Sequence, residues 1–110
     1  MPQTQTDKVL SMLGICRRAG KLEAGFDLVC EKIREKKAYL TLTAQDISDK
    51  TFKNLKYEAD KQKIPCRRIG ADRICLGKAC GIKAGVLAVT DEGMAKALLK
   101  LMQESTEGGV

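Results

Sequence analysis

The chain contains no histidine and no tryptophan. Without imidazole, no Ser-His or Cys-His nucleophile and no histidine metal ligand can form. The carboxylates are scattered, with no spacing that sets up an acid/base pair. No G-x-x-x-x-G-K-[ST] phosphate loop occurs. The reading is a protein that is not an enzyme, with no cofactor and no metal site. Aromatic residues make up only 4% of the chain. The core must therefore be aliphatic, and stacking platforms for unpaired bases, which need exposed aromatic rings, are not expected. No apolar run approaches the about 20 residues that span a bilayer. The opening residues are polar and do not resemble a signal sequence.

Five cysteines are present: Cys16, Cys30, Cys66, Cys75 and Cys80. The number is odd and there is no C-x-x-C pair. The nearest two, Cys75 and Cys80, lack the paired short spacings of a four-cysteine zinc site. Free thiols in a reducing cytoplasm are expected.

What the chain does have is uneven positive charge. Its 110 residues carry a formal net charge of +6. Residues 61–83 hold Lys61, Lys63, Arg67, Arg68, Arg73, Lys78 and Lys83 against Asp72 alone. That segment by itself matches the net charge of the whole. Residues 17–37 are also basic, whereas the last twenty residues are acidic on balance. Charge gathered in this way suits a phosphate backbone better than it suits general solubility.

The sequence reads as built around Arg17-Arg18-Ala19-Gly20-Lys21-Leu22-Glu23-Ala24-Gly25-Phe26-Asp27. Two glycines allow a tight turn. Cations precede it, and a helix then starts and points its free N–H groups back at the turn. Such a corner suits an anion, here a polynucleotide.

The periodicity predicts a helix over 7–18, capped by Thr6 or Asp7, and a second over 26–36 with Leu28 off its apolar stripe. Residues 38–44 read as a buried strand. Ser48 caps a helix that must end before Pro65. A short strand follows over 66–69. Asp72 caps a small helix that Gly81 stops. Residues 86–90 form the clearest strand, and Asp91 caps the last helix. Residues 1–5 and 104–110 read as loose ends. Strands alternating with helices favour an α/β fold. The expectation is one RNA-binding domain over 1–110, with an ordered core over about 6–103 and three or four strands covered by helices on both faces.

Two motifs carry a resemblance. Arg17-Arg18-Ala19-Gly20-Lys21-Leu22-x-x-Gly25 and Leu76-Gly77-Lys78-Ala79-Cys80-Gly81 stand in the order seen in one superfamily. The chain resembles the kink-turn-binding ribosomal proteins of the L-seven-Ae and L-thirty-e group, and its first motif is similar to that of the bacterial YlxQ-type members. The resemblance implies a three-layer α/β/α sandwich with a small mixed sheet, and binding of structured RNA. The family's Gly-x-Asn-Glu motif falls on Gly25, Phe26, Asp27 and Leu28. Asp27 and Leu28 depart from it, and Glu31 stands where a lysine is usual. An apolar loop that covers a flipped-out nucleotide falls near Ile69, Gly70, Ala71, Asp72, Arg73 and Ile74.

The RNA-binding residues implied are Arg17, Arg18, Gly20, Lys21, Gly25, Phe26, Asp27, Leu28, Arg67, Arg68, Ala71, Arg73, Ile74 and Lys78. The partners implied are a structured ribosomal RNA and ribosomal proteins, with no membrane. The alternative is a protein-interaction module on the same fold, its RNA recognition weakened by Leu28 and Glu31.

Overall fold

The computed structural model describes residues 5–107. Its elements follow in the order α1 (Gln5–Arg18), β1 (Leu22–Ala24), α2 (Phe26–Arg34), β2 (Leu40–Thr43), α3 (Asp49–Lys61), β3 (Cys66–Arg68), α4 (Arg73–Cys80), β4 (Val86–Val89) and α5 (Glu92–Glu107). The four strands make one mixed sheet in the order β1-β4-β2-β3. β4 is antiparallel to both β1 and β2, whereas β2 and β3 run parallel.

The two-residue period of the strands divides the core. Leu40, Leu42, Leu87 and Val89 face one side and pack with Leu13 and Cys16 of α1, Leu76 of α4, and Ala95 and Leu98 of α5. Cys66, Val86 and Ala88 face the other side and meet Val29, Cys30 and Ile33 of α2 and Leu55 and Ala59 of α3. Three helices cover one face and two cover the other. The result is the α/β/α sandwich, filled by aliphatic side chains. Each fully buried leucine contributes about 2 kcal/mol relative to exposure.

The caps follow from side-chain chemistry. Ser48 Oγ accepts from the N–H of Thr51, Asp72 from Cys75, and Asp91 from Met94. Gly81 closes α4 with φ 71°. The strands are shorter than the sequence reading, β2 at both ends and β3 and β4 by one residue each, and three helix ends differ from it. Gln5 already lies in α1, so Thr6 and Asp7 sit inside the helix rather than ahead of it. α2 stops at Arg34. α5 continues to Glu107, where a loose tail from Glu104 was expected. The remainder of both expected loose ends lies outside the described residues. Among the described residues, no helix is long and apolar enough to cross a membrane.

Candidate nucleic-acid interface

One end of the sheet gathers the second half of the first motif and the loop before the second. The N–H of Gly25, just past β1, donates to the carbonyl oxygen of Val86 at the start of β4 (2.9 Å). Across the sheet, Thr43 is in register with both Val86 and Arg68. The N–H of Ala44 donates to Gly85, that of Ile69 to Thr43, and that of Gln45 to Ala71. Three chain reversals therefore meet here: the entry to α2, the 44–48 connection into α3, and the 69–72 connection into α4. Gly85 makes the crowding possible, because a Cβ there would run into the Ile47 side chain and lie 3.1 Å from Arg73 Cδ.

Three helix N-termini converge on this end. Each carries roughly half a positive charge from its aligned peptide dipoles. Ser48 and Asp72 cap α3 and α4 with their own side chains. The Asp72 carboxyl is held below its ordinary pKa range by the Cys75 N–H that it accepts. α2 is different. Its cap is Gly25, at φ 108° and ψ 137°, which has no side chain to bond the first turn. That terminus faces outward with donors to spare for an anion.

Two arginines border the corner. Arg73 Nε lies 3.3 Å from Asp46 Oδ2, and its main-chain N–H donates to Asp46 Oδ1. Arg68 donates to Ile47 O (3.1 Å), approaches Asp49 Oδ1 at 3.4 Å, and stacks on the Phe52 ring at 4.8 Å. Both are fixed in place without being buried, since their partners are exposed carboxylates. Ile74 is 67% exposed and projects beside Arg73 from the first turn of α4. Asp27 and Leu28 are exposed on the first turn of α2, whereas Phe26 is half-buried against the α2/α3 core. Ala71 is buried and its carbonyl is taken by Gln45, so its methyl faces the core.

The sequence reading treated residues 17–27 as one cationic turn. The structure divides it. Leu22–Ala24 is a strand paired with β4, and it was missed because three residues are too short a run for apolar alternation to mark a strand. Lys21 O accepts from Thr90 N, beyond the last residue of β4. Arg17, Arg18, Gly20 and Lys21 thus precede β1, while Gly25 follows it, about 13 Å further along at strand rise. Arg17 instead lies over the C-terminus of α4, 3.5 Å from where a Cβ on Gly81 would stand. Arg67 is exposed on the edge strand and donates to Cys66 O. Lys78 is exposed in the last turn of α4, away from the corner.

Gln45, Asp46 and Ile47 belong to the corner and were not foreseen. Only the register of β2 against β4 brings them there. The signal available was Ile47 ahead of the Ser48 cap, which marks a helix entry but no ligand.

Two bacterial proteins named "RNA-binding protein YlxQ" are similar to this chain. That of Bacillus subtilis (strain 168) is 37% identical over 92 residues, 83% of this chain and 91% of its own length. That of Enterococcus faecium is 28% identical over 103 residues, 94% of this chain and 99% of its own. Among solved structures, a protein of unknown function from Bacillus halodurans C superposes with a TM-score of 0.82 at 30% identity, over 87% of this chain and 97% of that one. The Giardia lamblia 15.5kD RNA binding protein superposes with a TM-score of 0.72 at 15% identity, over 94% and 89%, a likeness of fold alone. The family model of ribosomal protein L7Ae/L30e/S12e/Gadd45 matches residues 7–99, and the chain belongs to that family.

Proposed function

We propose that this chain is an RNA-binding protein of the cytoplasm, ribosomal or ribosome-associated, that grips a kink-turn-like or internal-loop RNA at the α2 corner. The observation that carries the reading is the convergence of three helix N-termini, one without a side-chain cap, beside Arg68 and Arg73. Relatives that cover most of the chain are named as RNA-binding proteins, which agrees with it. Phosphates sit against the α2 terminus and the two arginines. The Asp27 carboxylate accepts from the N–H groups of a guanine edge, and Ile74 packs on an unstacked base.

The test is fluorescence anisotropy with an RNA hairpin carrying an internal loop of tandem G·A pairs, against the same hairpin with that loop closed by Watson–Crick pairs. The looped RNA is expected to bind more tightly, with affinity falling steeply as salt rises. Equal affinity for both, or affinity indifferent to salt, overturns the reading.

A second reading is favoured by the exposure of Leu28 (38%) and Ile74 (67%) near the same terminus. On it, the corner docks a protein. The freshly purified chain would then carry no nucleic acid, seen as a low absorbance at 260 nm relative to 280 nm, and would show no preference for the looped RNA.

A further inference from the structure

The opposite end of the sheet is also basic, and the corner does not explain it. The exits of α1, α2 and α3 and the starts of β1, β2 and β3 lie there. Tyr39 N donates to Val89 O, Thr41 N to Pro65 O, and Thr90 N to Lys21 O. All three helices end in the same pair of hydrogen bonds. In α1 they run from Gly20 and Lys21 to Arg17 and Cys16. In α2 they run from Lys36 and Lys37 to Ile33 and Lys32, and in α3 from Lys63 and Ile64 to Asp60 and Ala59.

The turn residue of this motif is left-handed and is usually glycine. α1 conforms, with Gly20 at φ 73°. α2 and α3 instead place lysines there, Lys36 at φ 61° and Lys63 at φ 57°. A side chain in that conformation strains the backbone.

Between those lysines stands Tyr39, 42% exposed. It walls two grooves. One, of about 350 Å³, is lined by Lys36, Lys63, Gln62 and Ile64. The other, of about 330 Å³, is lined by Lys32, Lys36 and Lys37 against the one carboxylate of Glu23. Lys32 and Lys37 share Glu35 at 3.5 and 3.7 Å. Lys36 and Lys63 have no carboxylate within 4.0 Å among the described residues. Helix C-termini carry negative partial charge, which accounts for a lysine near each end. It does not account for lysine at the one position that favours glycine, in two helices, on either side of an exposed ring.

We propose that this end is a second RNA-binding surface, which takes an unpaired strand. Tyr39 stacks a base, and Lys36 and Lys63 hold the phosphates on either side of it. The inference goes beyond the corner reading and does not depend on it. A protein built this way holds a folded RNA element at one end of the sheet and a single strand at the other.

The probe is a fluorescein-labelled oligouridylate of about ten nucleotides, a length within single-strand site sizes. The double variant K36G/K63G removes both charges while leaving residues that suit the left-handed turns, and a thermal melt checks that it folds. It is expected to bind the probe about tenfold more weakly. Its slope of log affinity against log salt should fall by about 1.4, two phosphate contacts at about 0.7 each. Tyr39→Ala should lose about tenfold with the slope unchanged. Both variants should bind the internal-loop hairpin as before, and saturating unlabelled hairpin should not displace the probe. Wild-type probe affinity in either variant overturns the proposal. So does displacement by the hairpin, or tighter binding of polyglutamate than of the oligouridylate, which would assign this end to an acidic protein. Failure of the corner reading would show separately, as no preference of the wild-type chain for the looped hairpin.

Discussion

Gly25 donates its N–H to Val86 O at 2.9 Å while holding φ 108°, and α2 starts from that bond. The bond fixes where the uncapped helix terminus points. A Cβ added at Gly25 meets nothing within 4 Å, so Gly25→Ala creates no clash and strains only the backbone. The expected loss is about 1–2 kcal/mol of stability, read from urea unfolding. Gly20→Ala also enters open space at positive φ and should lose a similar amount. The two should differ in binding. Gly25→Ala shifts the α2 terminus and weakens the internal-loop hairpin, whereas Gly20→Ala leaves that RNA unaffected. Equal effects of both on hairpin binding would count against the corner.

Arg73 supports a separate prediction. Its ion pair with Asp46 is exposed on both sides, so Arg73→Ala should change stability by less than about 1 kcal/mol. If the guanidinium holds one phosphate, the salt slope for the hairpin should fall by about 0.7 to 0.9. Affinity at low salt should drop several-fold. A variant with the wild-type slope would remove Arg73 from the interface.

Much of this arrangement was legible in the residues, and the reasons are local. Ser48, Asp72 and Asp91 bond N–H groups within their own helix, so sequence alone places them. The β2 and β4 segments are dense in apolar and β-branched residues because both faces are covered. β1 was not legible, since Leu22-Glu23-Ala24 becomes a strand only by pairing with Leu87–Val89, far along the chain. That one omission merged Arg17, Arg18 and Lys21 with Gly25, which the structure separates. The end of α5 was hidden for a similar reason. Gln5 Nε2 donates to the carbonyl oxygens of Leu101 and Met102 at 2.8 Å, tying the last helix to the first. Low aromatic content argued against stacking, yet Tyr39 is exposed. A composition gives a number of rings, not their side of the surface.

The thiols divide sharply by exposure. Cys75 is exposed on the first turn of α4, whereas Cys16, Cys30, Cys66 and Cys80 are buried. Burial is the main cause that pushes those four thiols above their ordinary pKa; at Cys80 the nearby Arg17 partly opposes it. At neutral pH one thiol should react quickly with a disulfide reagent, and the rest only after denaturation. A consequence for stability follows. Thiols of the unfolded chain ionise near about pH 8.5, while the buried ones hold their protons to higher pH. Their contribution is therefore complete below that value and is lost as pH rises through the raised folded values. The melting temperature should fall on the alkaline side, and less steeply in Cys66→Ala. An alkaline slope unchanged in that variant would exclude Cys66 as a source.

Thr41 and Thr43 point from β2 to the same face, and both are fully buried. Thr41 Oγ1 donates to Pro65 O at 2.9 Å. Among the described residues Thr43 Oγ1 has no partner. A buried hydroxyl without a hydrogen bond loses its hydration and gains nothing in return. Valine has nearly the same shape, so Thr43→Val should raise stability by about 1 kcal/mol. Thr41→Val gives up a real bond and should lower it by about 1 kcal/mol, since Pro65 O still accepts from the N–H of Thr41. The side chains lie beneath α2 and α3, away from solvent, so neither change should alter hairpin affinity. Urea unfolding of the two variants side by side decides the matter. If Thr43→Val proves the more damaging of the two, the hydroxyl must be satisfied by an ordered water held under α2 and α3. The polar atom would then belong to the support of the corner rather than being a flaw in the core.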